Sequence, residues 1–391
     1  MMRSIIRRAV ARAIAAAAIA LGGAGCSSSA HTAPSARTSS IPPTSPAAIE
    51  RMIQGVHAAR APLQADHERA VALLREAVGL DGNLWEARYD LGVVLAAAGD
   101  LAGAEEQLTV VAHLARDEEN AAVALAEVRR RREEHKLAAD GLADFVHDHP
   151  EALAARTLYV AALRESGQVD KAIAEASEVL ARKPADATAL AELSLSHLEK
   201  GDKDAAALLA KQAVEANPNS AVAHRATGLL DLANGDDATA FSEFRKAAQA
   251  DPRDTTSRLN MGVVLLHAGA YAKAEEQYRE ILRQSPDNAP AEVGLAAALR
   301  GAADGRHPHN LDEARALLEK VLAADSHNTS ALFNLAVLMA DFVKKPTEAA
   351  PLFKRFLADA PAAHPLRAEA ERYVAAAAAS GAPKDVSHGP R

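Results

Sequence analysis

Residues 255–288 read TTSRLNMGVVLLHAGAYAKAEEQYREILRQSPDN, and this stretch decides the fold. It has an apolar stripe at helical spacing, a glycine, a second stripe at helical spacing and then a proline. Such an order predicts a helix, a tight turn and a second helix that the proline ends, because proline has no amide proton to donate. The positions concerned are Leu259, Met261, Leu265, Gly269, Ala274, Tyr278, Ile281 and Pro286.

The same pattern returns along the chain at an interval of 34 residues. Prolines keep this interval at Pro150, Pro184, Pro218, Pro252 and Pro286. Turn glycines keep it at Gly99, Gly167, Gly201, Gly235 and Gly269, with Glu133 in place of one of them. A fixed period in turn and breaker residues predicts a helical solenoid, in which each unit packs only against its neighbours.

The repeated positions resemble the tetratricopeptide repeat (TPR) family. One repeat matches the family pattern at Trp85, Leu91, Gly92, Leu95, Gly99, Ala104 and Leu108. The resemblance covers 51–363 and implies an all-α TPR superhelical solenoid of about nine helix-turn-helix repeats, followed by a capping helix at 364–380 and a disordered tail at 381–391. Within an array at 48–363, the units are 51–84, 85–118, 119–152, 153–186, 187–220, 221–254, 255–288, 289–328 and 329–363.

The junctions between units carry residues that favour helix starts. Asp, Ser and Asn are strong N-cap residues, and we expect them to cap the first helix of successive units. The junction residues are Asp186, Ser220, Asp254, Asn288 and Asn328. We expect an irregular turn at Glu133, a projecting loop within 301–311 where the eighth unit is longer, and one extra residue near Lys344 in the ninth.

The first 25 residues resemble a bacterial lipoprotein signal. Basic residues precede an apolar run from Ala13 to Leu21, and small residues then lead to Cys26, the only cysteine of the chain. We expect Cys26 to be acylated and Ser27, by the same resemblance, to direct the protein to the outer membrane. Gly23 stands where a lipobox usually has leucine, so cleavage by the ordinary signal peptidase stays an alternative. The segment 26–47 is rich in Ser, Thr and Pro and predicts a flexible tether.

Composition excludes several functions. The formal charge is -8, and four of the basic residues lie in the first 25, so the remaining chain has 40 basic against 52 acidic side chains. An acidic body argues against nucleic-acid binding, which needs a basic face. The sequence has no nucleophile signature, phosphate loop or metal-ligand spacing, and the pairs His147/His149 and His307/His309 are interpreted as surface histidines. We therefore predict a non-enzymatic protein without cofactor, metal or small-molecule substrate.

The resemblance implies a concave groove lined by the first helices of the units. Within it we predict a partner-binding set of Tyr89, Arg225, Leu259, Asn260, Val263, Phe333 and Asn334. The apolar members would anchor an extended or helical peptide, and asparagine at this repeat position often holds a peptide backbone in the family. Five aromatic residues fall instead at packing positions of second helices, namely Phe241, Phe244, Tyr278, Phe353 and Phe356. The run 129–132 predicts a solvated helix with ion pairs.

These features lead to one main hypothesis and two alternatives. The chain resembles TPR lipoproteins of pilus assembly, including pilotins of type IV and Flp/Tad pili, and of gliding motility. That resemblance implies an assembly factor or adaptor for an envelope-spanning machine, held at the outer membrane by its lipid alone and facing the periplasm. The partners would be protein subunits of that machine. The alternatives are a scaffold that recruits peptidoglycan hydrolases or synthases, and a soluble periplasmic chaperone.

Overall fold

The computed structural model describes residues 44–60, 64–303 and 309–381. Every regular element in these ranges is helical, and the helices follow one another as antiparallel pairs. The signal sequence, Cys26 and most of the predicted tether lie outside the described residues. The chain divides into two compact units, 1–155 and 156–391.

The first unit contains three helix pairs and the start of a fourth. Its helices are α1 (Pro46–Ala59), α2 (Gln64–Leu80), α3 (Trp85–Ala98), α4 (Leu101–Leu114), α5 (Glu119–Arg131), α6 (His135–Asp148) and α7 (Leu153–Glu165), the last of which continues into the second unit. Gly55 in α1 and Gly92 in α3 both face a leucine of the following helix, Leu74 and Leu108 respectively. The first helix pair therefore begins before residue 51. The turn between its two helices is longer than the corresponding turn of a 34-residue repeat.

The second unit continues the same arrangement. Its helices are α8 (Val169–Arg182), α9 (Ala187–Glu199), α10 (Lys203–Ala216), α11 (Ala221–Ala233), α12 (Asp237–Ala250), α13 (Thr255–His267), α14 (Tyr271–Gln284), α15 (Ala289–Gly301), α16 (Asn310–Ala324), α17 (Thr329–Val337), α18 (Pro346–Asp359) and α19 (Arg367–Gly381). A π-helical turn, Leu338–Phe342, extends α17. The all-α repeat fold and the helix after the last repeat are confirmed. The predicted loop in 301–311 lies largely outside the described residues.

The turn at Glu133 is regular, and the prediction of an irregular turn was wrong. Glu133 has a φ of 62°, in the left-handed region that Gly99 and Gly167 also occupy, at 90° and 79°. The amide of Glu134 donates to the carbonyl of Arg129 at 2.9 Å, as the amide of Gln168 does to Leu163 at 2.8 Å. The hydrogen bonds of the turn therefore hold a non-glycine residue in a conformation that costs it about 1 kcal/mol.

The predicted N-caps are confirmed at all five junctions. Asp186 accepts hydrogen bonds from the amides of Thr188 and Ala189, and the side chains of Ser220, Asp254, Asn288 and Asn328 each accept one from the amide three residues later. Second helices have a further set of caps that was not predicted, formed by Asp100, Asp202 and Asp236. Each cap satisfies amides that the first turn of a helix leaves without partners.

Second-helix aromatic residues form the core, as predicted. Phe244, Tyr278, Phe353 and Phe356 are buried, and Phe241 is partly buried. Glycines on the first helices make room for two of them. A Cβ on Gly228 would lie 2.7 Å from the Phe244 ring, and one on Gly262 would lie 2.5 Å from that of Tyr278. The two helices of a repeat can therefore approach closely around a large ring.

The ninth repeat absorbs its extra residue in the π-helical turn. A π turn holds one residue more than an α turn, and such turns commonly mark a single insertion. Lys344 then adopts a φ of 61°, and Pro346 begins α18. The insertion is thus accommodated between α17 and α18, and Phe353 and Phe356 still reach the core.

Candidate protein-binding surface

First helices of the second unit lie side by side and form one layer. α9 contacts α11, α13 contacts α15, and α15 contacts α17, whereas the second helices α10, α12, α14 and α16 each pack between the first helices of their own and the next repeat. The side of α9, α11, α13, α15 and α17 that faces away from the second helices is called here the first-helix surface. Five of the seven predicted binding residues lie on these helices and outside the core.

The middle of the first-helix surface is apolar and accessible on α13. Val263 is 37% exposed. Leu259, one helical turn away, is partly buried and packs against the core that includes Leu265 and Tyr278. Asn260 is next to Leu259 in the sequence and is partly buried, and its side-chain amide forms no hydrogen bond with any described residue. This patch therefore combines apolar contact area with an available donor and acceptor.

Arg225 has a structural partner. Its Nη1 donates to Oδ2 of Asp254 at 3.0 Å, and both side chains are largely covered. Asp254 also caps α13 by accepting from the amide of Ser257. Arg225 thus joins α11 to the start of α13, and its positive charge is already balanced within the protein.

Phe333 does not lie on an accessible surface, in contrast to its predicted role. It is 8% exposed, and its ring packs against Phe353 and Phe356 with centroids 5.7 and 5.2 Å apart. The reason is its place in the last repeat, where aromatic side chains of α18 cover it. Phe333 is therefore a core residue here. Asn334, its neighbour, accepts a hydrogen bond from Nη1 of Arg300 at 3.1 Å and donates to the carbonyl of Ser330.

Tyr89 lies in the first unit, on α3, beside an unusual carboxyl group. Burial raises the pKa of Asp90 to about 7, and the charge of Glu86 adds to this while that of Arg60 opposes it. Burial, and then the charge of Asp90, raise the pKa of the Tyr89 hydroxyl. The area around Tyr89 thus holds a carboxyl that exchanges a proton near neutral pH.

The arginine run forms ion pairs, as predicted. Arg129 and Arg132 both contact Glu105 of α4, at 3.0 and 2.6 Å, and Arg130 contacts Glu127 at 2.7 Å. The cluster joins α5 to the preceding helix through Glu105. Among the residues that the structure describes, no group of three or more His, Cys, Asp or Glu side chains is placed to hold a metal ion.

A cavity of about 500 Å³ opens between α4, α5 and α6 in the first unit. Its rim carries Arg116, Asp117, Phe145 and His149. The rings of Phe145 and His149 are 4.5 Å apart, and His149 Nε2 lies 3.4 Å from Oδ1 of Asp117. This cavity was not predicted, because its lining comes from three successive helices and the pattern of a single repeat does not reveal it.

The helix pairs and their glycine and N-cap signals define a helical repeat protein. A family model described as tetratricopeptide repeat matches residues 64–121, 160–221, 191–255, 225–289 and 309–365. These ranges cover more than half of the chain, and the protein therefore belongs to the tetratricopeptide repeat family. Such repeats suggest a protein-protein interaction scaffold, and proteins of this fold are typically non-enzymatic.

Solved structures share the fold at low sequence identity. The crystal structure of the APC/C hetero-tetramer Cut9-Hcn1 matches with a TM-score of 0.58 and 14% identity over 85% of this chain, which spans 62% of that one. A Pseudomonas aeruginosa protein, pilF, matches at 20% identity over 51% of this chain and 91% of that one, with a TM-score of 0.40. YrrB, a TPR protein with an unusual peptide-binding site, matches at 17% identity over 50% of this chain and 97% of that one, with a TM-score of 0.34. A search of curated proteins finds no significant match.

In the ranges that the structure covers, no helix is long and apolar enough to cross a bilayer.

Proposed function

We propose that this protein is a tethered scaffold that captures a segment of another protein on the first-helix surface of its second unit. The observation that carries the proposal is the patch on α13. Val263 is exposed, Leu259 lies one turn away, and the side-chain amide of the neighbouring Asn260 has no hydrogen-bond partner among the described residues. An apolar side chain of a bound peptide would cover Val263, and the peptide backbone would bond to Asn260.

The proposed location is the outer membrane, facing the periplasm. The support is the sequence alone: a basic and apolar leader, small residues, and the single cysteine at Cys26. Several acyl chains on one cysteine hold a protein at a membrane stably, whereas one chain gives marginal binding. The Ser, Thr and Pro-rich segment after Cys26 would let the repeats reach a partner at some distance from the bilayer.

The proposed partners are subunits of an envelope-spanning machine, such as a type IV or Tad pilus, a secretion system or a gliding-motility complex. A lipid-tethered repeat array can hold an assembling subunit near the membrane in which it must insert. This role is a proposal based on the lipoprotein-like leader combined with the repeat fold, and on the resemblance to assembly factors of this layout.

Site-specific photo-crosslinking in intact cells tests the binding surface. A photoreactive residue at Val263 is expected to capture a protein partner, which mass spectrometry then identifies. The matched control is Leu208, which is 59% exposed but lies on the second helix α10. Capture from Leu208 and not from Val263 would reject the first-helix surface. Pilus, secretion or motility subunits as products support the assembly role, whereas peptidoglycan hydrolases or synthases would favour the alternative scaffold.

Cell fractionation with Cys26→Ala tests the tether. We expect the unaltered protein in the outer-membrane fraction and the variant in the soluble periplasmic fraction. If both proteins were soluble in the periplasm, the lipid anchor would be excluded, and a soluble chaperone would become the better proposal.

A further inference from the structure

Two arginines occupy the same place in repeats that are four units apart. Arg164 is near the end of the first helix α7, and Arg300 is near the end of the first helix α15, 136 residues later. Arg164 is surrounded by carboxylates. Its Nε donates to Glu192 at 2.8 Å, its Nη1 to Glu199 at 2.9 Å, and its Nη2 lies 3.4 Å from Glu165. The protein thus supplies every counter-charge that Arg164 needs.

None of these carboxylates has an available equivalent at Arg300. After the six extra residues of the eighth repeat are allowed for, Gly301, Asn334 and Asp341 stand where Arg164 has Glu165, Glu192 and Glu199. Gly301 has no side chain. Asn334 is neutral and accepts only from Nη1 of Arg300, through Oδ1 at 3.1 Å and its carbonyl at 3.3 Å.

Asp341 is acidic but is directed elsewhere. It lies in the π-helical turn. Its Oδ2 accepts a hydrogen bond from the hydroxyl of Tyr373 on α19. Within the described part of the chain, no carboxylate lies within ion-pair distance of Arg300.

The surroundings of Arg300 make an unbalanced charge unfavourable. Burial lowers the pKa of its guanidinium, although the charges of Asp341, Tyr373 and Tyr271 partly oppose that effect. For Arg164 the pKa is raised, because Glu192 and Glu199 outweigh the effect of burial. The Phe342 ring, 41% exposed, lies 5.9 Å from Cζ of Arg300 and shields one side of the group. A charge in such a place gains more from an opposite charge than one in water.

We propose that Arg300 binds the carboxylate of an aspartate or glutamate side chain in a peptide held on the first-helix surface of repeats 289–328 and 329–363. This inference rests on the proposed function and adds the chemistry of the partner. Nε and Nη2 of Arg300 make no hydrogen bond with described residues, and these two donors form the edge that binds a carboxylate in a bidentate manner. Phe342 would contact an apolar neighbour of the acidic residue.

Peptide display on the full-length protein tests both ideas separately. Random dodecapeptides fused through their C-terminus to a phage coat protein carry only side-chain carboxylates. We expect wild-type protein to enrich sequences with one fixed Asp or Glu beside apolar residues. Enrichment without an acidic position would overturn the Arg300 inference and leave the binding surface intact. If no sequence were enriched, the proposed peptide-binding function would fail as well.

Variants assign the acidic preference to Arg300. A selected peptide made with an amidated C-terminus should bind Arg300→Gln about tenfold more weakly than wild type, and replacing its acid by Gln or Asn should cause no further loss. Asn334→Glu should rebuild the internal pair of Arg164 and Glu192, retain the melting temperature and lose the acidic preference. An unchanged preference in both variants would overturn the inference. Binding that required a free C-terminal carboxylate would also overturn it.

Discussion

The repeats 187–220 and 255–288 bring their two helices together by opposite means. In the first, Ser194 on α9 and Ala210 on α10 are both small and buried, and the Ser194 hydroxyl donates to the carbonyl of Ala206 at 2.7 Å. In the second, the equivalent residues are Gly262 and Tyr278, and the ring lies against the glycine backbone. The 34-residue period is therefore kept whether the contact between the two helices is filled by two small side chains or by a large ring against a glycine.

The largest expected effect comes from giving the second repeat the small residue of the first. Tyr278 is 1% exposed and lies between Gly262 of α13 and Gly294 of α15, so its removal leaves a space that neither glycine can fill. We expect Tyr278→Ala to lower the free energy of unfolding by about 4 kcal/mol. Urea unfolding followed by circular dichroism measures the change. A loss no greater than that of an exposed substitution would contradict the packing described here.

A large residue at Gly262 should cost nearly as much. A Cβ at this position would lie 2.5 Å from Cζ of Tyr278, and the rest of an arginine has no space. We expect Gly262→Arg to destabilise by about 3 kcal/mol through overpacking. The control is Gly79→Arg, because Gly79 is a helical glycine with nothing within 4 Å of its Cβ position. Equal melting temperatures for Gly262→Arg and wild type would show that Gly262 does not occupy the close-contact position of its repeat.

The double variant Gly262→Ser with Tyr278→Ala gives repeat 255–288 the serine and alanine that repeat 187–220 has at these positions. Alone, Gly262→Ser should destabilise, because its Cβ meets the tyrosine ring. In the background of Tyr278→Ala, Gly262→Ser should instead raise the free energy of unfolding, since the ring is gone and the serine fills part of the space. We expect a coupling energy of about 2 kcal/mol in a double-mutant cycle. Additive effects of the two substitutions would mean that the positions do not exchange volume.

The hydroxyl of Ser194 supports the close approach in the first arrangement. We expect Ser194→Ala to cost about 1 kcal/mol, because the buried carbonyl of Ala206 loses a donor. Ser177→Ala is the matched control, since its hydroxyl bonds to the carbonyl of Ile173 in an exposed position. Thermal unfolding of both variants measures the difference. Equal shifts of the melting temperature would indicate that the buried hydrogen bond stabilises the protein no more than the exposed one.

The smallest effect is expected at a turn outside both repeats, where backbone conformation and not volume is limiting. Glu133 has the φ of a turn glycine without being one. Glu133→Gly should stabilise the first unit by about 0.5 kcal/mol, and Gly99→Ala should destabilise it by about 1 kcal/mol. Changes of opposite sign in the free energy of unfolding, measured with urea, would confirm that both positions require a left-handed backbone. A destabilising Glu133→Gly would show that contacts of the glutamate side chain outweigh the conformational cost.

Features that belong to one repeat could be predicted from the sequence. The N-caps and the buried second-helix aromatics depend on residues a few positions apart, and periodicity alone located Asp254 and Phe244 correctly. The prediction failed at Glu133, because residue type at one position does not reveal how strongly the surrounding hydrogen bonds fix the turn. It also failed at Phe333, whose burial depends on rings of the following helix.

Features that depend on pairs of repeats were missed. Arg300 carries no signal within its own repeat. Its character becomes visible only when Gly301, Asn334 and Asp341 are compared with the glutamates around Arg164. A periodic comparison of charged positions across repeats would have located it from the sequence, but the engagement of Asp341 by Tyr373 required the structure.

The π-helical turn at Leu338–Phe342 also has a consequence for how such a chain can change length. An inserted residue in a straight helix rotates the residues after it in that helix by about 100°, which would turn part of its buried face toward water. Here that rotation is cancelled within a single turn, so the segment from Pro346 onward keeps its original orientation. Length variation of this kind is therefore reversible and local, and a gene can gain or lose one codon there without rewriting the sequence downstream.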